Sequence, residues 1–270
     1  MKRWEASGIT VFQVFFLSFA YVFSGLFLIR EEAFLSLLLP LAAALVYCAL
    51  GYSFLQCAPC TLFPRERWLS FLSCGKPHAF ARAFAVLLTL LGAAELVLSW
   101  IALAFSVRAF SDFISFSLAA ALTLLLALFA GAHGPTVLGR FSELFAFPIA
   151  VLLLNLVFFD FAPVDFGAFS DDLYALFTVT PAPILYLFSL ARLPSTAMPH
   201  TAGATVSVPV GSFLGTLAAV LCTFLFLLCK ADGGVFHLLF GWMASLIRLS
   251  LLICVCTAHR APLLTHVKIK

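Results

Sequence analysis

The sequence predicts an all-α integral membrane protein of about eight transmembrane helices, and three observations predict it. Of the 270 residues, 64% are hydrophobic and only 10% are charged; the mean hydropathy is +1.14. Apolar runs about as long as a spanning helix, roughly 20 residues, recur from Gly8 almost to the C-terminus. The basic residues fall asymmetrically around those runs. No soluble domain of this length hides so much apolar surface, so the chain reads as one polytopic transmembrane domain covering residues 1–270.

The spans are expected at 8–29, 33–55, 82–107, 114–132, 141–159, 173–191, 208–229 and 235–258. The first is Phe-rich and no small-residue cleavage site follows it, so it reads as a helix rather than a signal peptide. Ser18 lies near its midpoint, and Ser24-Gly25 is a candidate helix break, with a packing contact as the alternative. Pro40 interrupts the second span and Pro148 the fifth, each removing a backbone donor. The third span carries Glu95 and the eighth Arg248. The sixth holds Thr178-Val179-Thr180-Pro181-Ala182-Pro183, where two prolines one residue apart argue against a continuous helix. Broken backbone at membrane depth is tolerated where it is buried in protein or lines a cavity, and in transporters such half-helix ends hold substrate or ions. In the seventh span Gly211 and Gly215 have the small-xxx-small spacing of close helix packing.

Charge supports the count. With the N-terminus inside, eleven Lys and Arg residues fall on cytoplasmic segments, and only Arg30, Arg108 and Lys230 fall outside. Both termini are therefore expected in the cytoplasm of a multi-pass cell-membrane protein. Spread over membrane-flanking loops, the net charge of +3 gives no nucleic-acid surface.

Glu95 stands thirteen residues from both Arg82 and Arg108, about 20 Å from either at 1.5 Å per residue. It is too deep to snorkel. Arg248 lies at a similar depth in a helix running the opposite way. A charge at the bilayer centre costs roughly 2.5–3.5 kcal/mol on insertion scales, so each needs a partner or a water-lined cavity. Glu95, Arg248, Thr178, Thr180 and Ser18 are accordingly expected to surround one midplane site for a small polar solute such as an amino acid. The plain alternative is a structural Glu95–Arg248 pair that fixes helix register and binds nothing.

Other chemistry is not supported. The spacing of Cys57, Cys60, Cys74 and His78 matches a zinc site, but Cys57 and Cys60 end a membrane span, so no metal and no cofactor is expected. No metalloprotease, nucleotide-loop or nucleophile-elbow motif occurs, so the chain is not expected to be an enzyme.

The stretch from Gly134 through Gly139-Arg140-Phe141-Ser142-Glu143-Leu144 to Pro148 resembles the fifth helix of the endospore germination permeases. These are the membrane-spanning B subunits of germinant receptors, in the amino acid–polyamine–organocation (APC) transporter superfamily. Gln13 in an early Phe-rich helix, a long third helix ending at Arg108 to Phe113, and Arg248-Leu249 in the eighth are similar too. Where that family tends to flank the arginine with acids, this chain has Ile247 and Ser250. The resemblance implies an inverted-repeat bundle lacking the last two of ten helices, with helices one and six broken and, with three and eight, surrounding the substrate. It implies a subunit in the inner spore membrane that binds a nutrient and signals to other germinant receptor subunits. Two alternatives stand beside it: a proton-coupled amino acid permease with Glu95 as proton carrier, and a non-transporting membrane scaffold.

Overall fold

The computed structural model describes residues 9–29, 38–57, 78–110, 115–144, 180–190, 202–228 and 235–264. These form eight helices and no strand: α1 (Val11–Ile29), α2 (Leu38–Cys57), α3 (His78–Phe110), α4 (Phe116–Ala132), α5 (Pro135–Glu143), α6 (Pro181–Leu190), α7 (Ala202–Leu228) and α8 (Val235–Leu264). Each overlaps one expected span, although α5 meets only the first residues of the fifth. Val86–Phe105 of α3 and Ser207–Phe224 of α7 are long and apolar enough to cross a membrane, and the α4–α5 pair makes a third if counted as one bent span. Shorter apolar stretches lie in α1, α2, α6 and α8.

Local chemistry sets several helix ends. The Thr10 hydroxyl accepts from Gln13 N at 3.2 Å, and Gln13 Oε1 accepts from Thr10 N at 3.1 Å. This reciprocal capping box satisfies two donors at the start of α1. Ser115 caps α4 by accepting from Leu118 N at 3.3 Å. Between α4 and α5, Gly134 takes φ +82°, a left-handed conformation that glycine adopts without a Cβ clash. Pro135 follows at the first turn of α5, where a missing N–H costs nothing, and the chain turns through 113°. Pro40 falls in the first turn of α2, the position proline tolerates, rather than mid-span. Pro209, by contrast, is inside α7, which begins six residues earlier than expected. Pro148 lies outside the described residues.

The helices divide by burial. In α1 every residue from Gln13 to Leu26 except Phe15 is buried, and so are all of α6 beyond Pro181 and most of α8 from Ala244 to Val255. A helix apolar all round lies inside a protein or in lipid, and these three are covered by neighbouring helices. Those neighbours are α2, α3, α4 and α7, which turn large side chains outward: Leu45 and Leu50, Leu90 and Phe105, Leu125 and Phe129, Val210 and Leu214. A surface this apolar suits lipid rather than water.

Glycines set the closest approaches. On Gly215 an added Cβ would come within 2.3 Å of Phe15 O, and on Gly211 within 2.8 Å of Val11 Cγ1. Residues four apart on α7 thus meet residues four apart on α1, and the two helices run parallel. Gly51 of α2 seats the Phe188 ring of α6, and Gly139 of α5 seats Gln13. The break expected at Ser24-Gly25 is absent: α1 is one helix from Val11 to Ile29. Ser24 Oγ donates to Tyr21 O at 2.9 Å, so its hydroxyl is satisfied within the helix without unwinding it.

Candidate functional site

One stripe of α3 faces inward. Leu88, Gly92, Glu95, Ser99 and Leu103 are buried at three- and four-residue spacing, the period of a single helix face. Opposite it runs α8 in the reverse direction, with Val255 near Gly92 and Arg248 between Glu95 and Ser99. Glu95 and Arg248 are 5% and 3% exposed, so neither reaches water, and Arg248 Nη2 lies 2.6 Å from Glu95 Oε1. The two costly charges are partners.

Two more helices close the centre. Tyr21 of α1 donates its hydroxyl to Glu95 Oε1 at 2.5 Å, and Thr180, the residue before α6, donates to Glu95 Oε2. Thr180 N donates to Tyr21 Oη at 3.0 Å, and the two hydroxyl oxygens lie 3.1 Å apart. Arg248 is held on each side: Nε donates to Ser99 Oγ at 3.1 Å and Nη1 to Tyr21 O at 2.9 Å. Its guanidinium carbon sits 4.5 Å from the Tyr21 ring centroid, within cation–π range. Three donors thus converge on one carboxylate, and four helices supply the groups.

The start of α6 is built for this place. A helix begins with four N–H groups that have no intrahelical partner, and burying them is costly. Here two of those four positions are Pro181 and Pro183, which carry no N–H, and the Thr180 N–H bonds to Tyr21. Only Ala182 remains. With no N–H on Pro183 to accept, the Thr180 hydroxyl turns to the carboxylate instead. The positive end of the helix dipole also faces that carboxylate, which favours its charge.

Of the expected site residues, Glu95, Arg248 and Thr180 meet, and Pro181 opens α6 beside them. Thr178 lies outside the described residues. Ser18 is not part of this centre: its hydroxyl is 2.8 Å from Ser212 Oγ, and it joins α1 to α7. Tyr21 stands one turn further along α1 and turns toward α3 and α6. The sequence reading missed Tyr21 and Ser99. Ser99 carries a signal, standing one turn after Glu95 on the same face; Tyr21 is a polar tip inside an apolar run, which composition hides. Of the zinc spacing, Cys60 and Cys74 lie outside the described residues, among which no His, Cys, Asp or Glu cluster is placed to hold a metal.

The described residues and this centre define a strongly apolar protein, helical throughout them, with a buried acid–base pair where four helices meet. No family model, curated protein or solved structure matches the chain.

Proposed function

We propose that this protein is a membrane subunit of the germination-permease kind, which binds a small zwitterionic nutrient at the Glu95–Arg248 centre and passes the event to partner subunits. The observation that carries the reading is one buried carboxylate and one buried guanidinium held 2.6 Å apart, at the proline-led start of α6. A free amino acid presents the complementary pair. Its carboxylate matches Arg248 and its ammonium matches Glu95, so the solute would replace the internal ion pair with two ion pairs of its own, which offset the cost of taking its charges out of water. Because Tyr21, Thr180 and Ser99 bond to the same two groups, the exchange would move α1, α3, α6 and α8 together, which is the signal a receptor needs.

The scaffold reading has its own support: both charges already have partners, so the pair satisfies itself. The two readings part on ligand binding. A thermal-shift screen of amino acids, sugars and nucleosides on detergent-solubilised protein would show a concentration-dependent rise in Tm for at least one solute under the receptor reading. No rise with any of them would favour the scaffold.

A further inference from the structure

The three groups around Glu95 have one unused degree of freedom. While the carboxylate is ionised, both hydroxyls donate to it, Tyr21 to Oε1 and Thr180 to Oε2. The Tyr21 Oη to Thr180 Oγ1 contact of 3.1 Å then holds no hydrogen, because each hydroxyl has already spent its only proton. The ring is thus one hydrogen short of closure.

We propose that this ring is a proton-binding site, with Glu95 the group that takes up the proton and the Tyr21–Thr180 contact the bond that accommodates it. The step balances as follows. One proton from the aqueous phase adds to Glu95 Oε2, whose charge goes from −1 to zero. Glu95 Oε2–H then donates to Thr180 Oγ1, the Thr180 hydroxyl turns from Oε2 to Tyr21 Oη, and Tyr21 continues to donate to Oε1. The Thr180 N–H stays on Tyr21 Oη. Every donor and acceptor of the ring remains paired, and no heavy atom need move far.

What triggers uptake is loss of the counter-charge. Among the described residues, the charged or titratable groups facing Glu95 are Arg248 from α8, Tyr21 from α1 and, within electrostatic reach, Tyr47 from α2; α6 contributes Thr180, which does not titrate. Arg248 is therefore the only cation beside it among the described residues. Drawing the guanidinium away leaves a buried carboxylate uncompensated, a state that costs far more than neutralising it. That a solute carboxylate is what draws it away rests on the receptor reading above. The proton site itself does not.

Infrared difference spectroscopy on the full chain in lipid tests the site without any solute. In Arg248→Met, checked for native helicity, a protonated-carboxyl C=O stretch is expected at neutral pH, and it disappears in Arg248→Met with Glu95→Gln. Adding Tyr21→Phe removes the donor to the C=O and should move the band to higher wavenumber. A folded Arg248→Met without the band, or a band whose position ignores Tyr21→Phe, overturns the proposal. Should Arg248→Met not fold, acid titration of the wild type decides instead: a carboxyl band present in wild type and missing in Glu95→Gln supports the site. Identical spectra down to the pH of unfolding overturn it. Neither outcome bears on the solute screen, so the two proposals fail separately.

Discussion

The Arg248 guanidinium lies 4.5 Å over the Tyr21 ring while its Nη1 bonds to the Tyr21 carbonyl at 2.9 Å. One residue of α1 thus supports the cation with its ring and backbone, and the anion with its hydroxyl. This makes the Glu95–Arg248 centre a four-helix joint rather than a contact between two helices, and it directs the following expectations.

Removing one charge should cost much more than removing both. Glu95→Gln alone leaves the Arg248 guanidinium uncompensated, a loss of about 3–5 kcal/mol, whereas an apolar replacement of a whole buried pair is often near neutral. Arg248→Met should cost less than Glu95→Gln, because Glu95 can neutralise itself by taking up a proton. In reversible unfolding from mixed micelles, the double variant should be at least as stable as the weaker single variant. Additive losses would mean that the two side chains do not depend on each other.

Tyr21→Phe deletes the hydroxyl but keeps the ring under Arg248. Glu95 loses one donor and the Thr180 N–H loses its acceptor, so the expected cost is about 1–3 kcal/mol. Tyr21→Leu should cost more, since the cation–π contact goes as well. Equal losses for the two variants would assign the whole effect to the hydroxyl.

At the α1–α7 seam, Gly215→Ala should be the most damaging of the small changes. Its Cβ would meet backbone oxygen at 2.3 Å, which cannot yield unless the helices separate, at the upper end of the roughly 1–3 kcal/mol usual for overpacking. Gly211→Ala meets a side-chain methyl at 2.8 Å and should cost less, because Val11 can turn. Thermal unfolding in detergent ranks the two.

The capping box predicts that Thr10→Val destabilises α1 by about 1 kcal/mol. Gly134→Ala should cost about 1–2 kcal/mol through backbone strain alone, since nothing lies within 4 Å of an added Cβ there. Hydrogen exchange at the first turn of α1 and at the α4–α5 turn reads each effect locally.

What was legible in the sequence follows from what depth and period encode. Counting at 1.5 Å per residue brought Glu95 and Arg248 to one level, and the proline pair marked where α6 begins. Gly211 and Gly215 announced their seam by spacing. Ser24-Gly25 misled because a small polar pair looks the same whether it unwinds a helix or bonds back within it. Ser18 misled for a different reason: depth gives a residue's height but not its azimuth, and the azimuth of α1 is set by glycines on α7, nearly two hundred residues away in sequence. Tyr21 was hidden by the same gap.

The central claim is that the Glu95–Arg248 centre receives a solute, and the most direct test is calorimetric binding of the strongest thermal-shift hit to the Glu95→Gln, Arg248→Met double variant. That variant is expected to fold with both charges gone. The account predicts that wild type binds and the folded double variant does not; binding of equal affinity to both would contradict it.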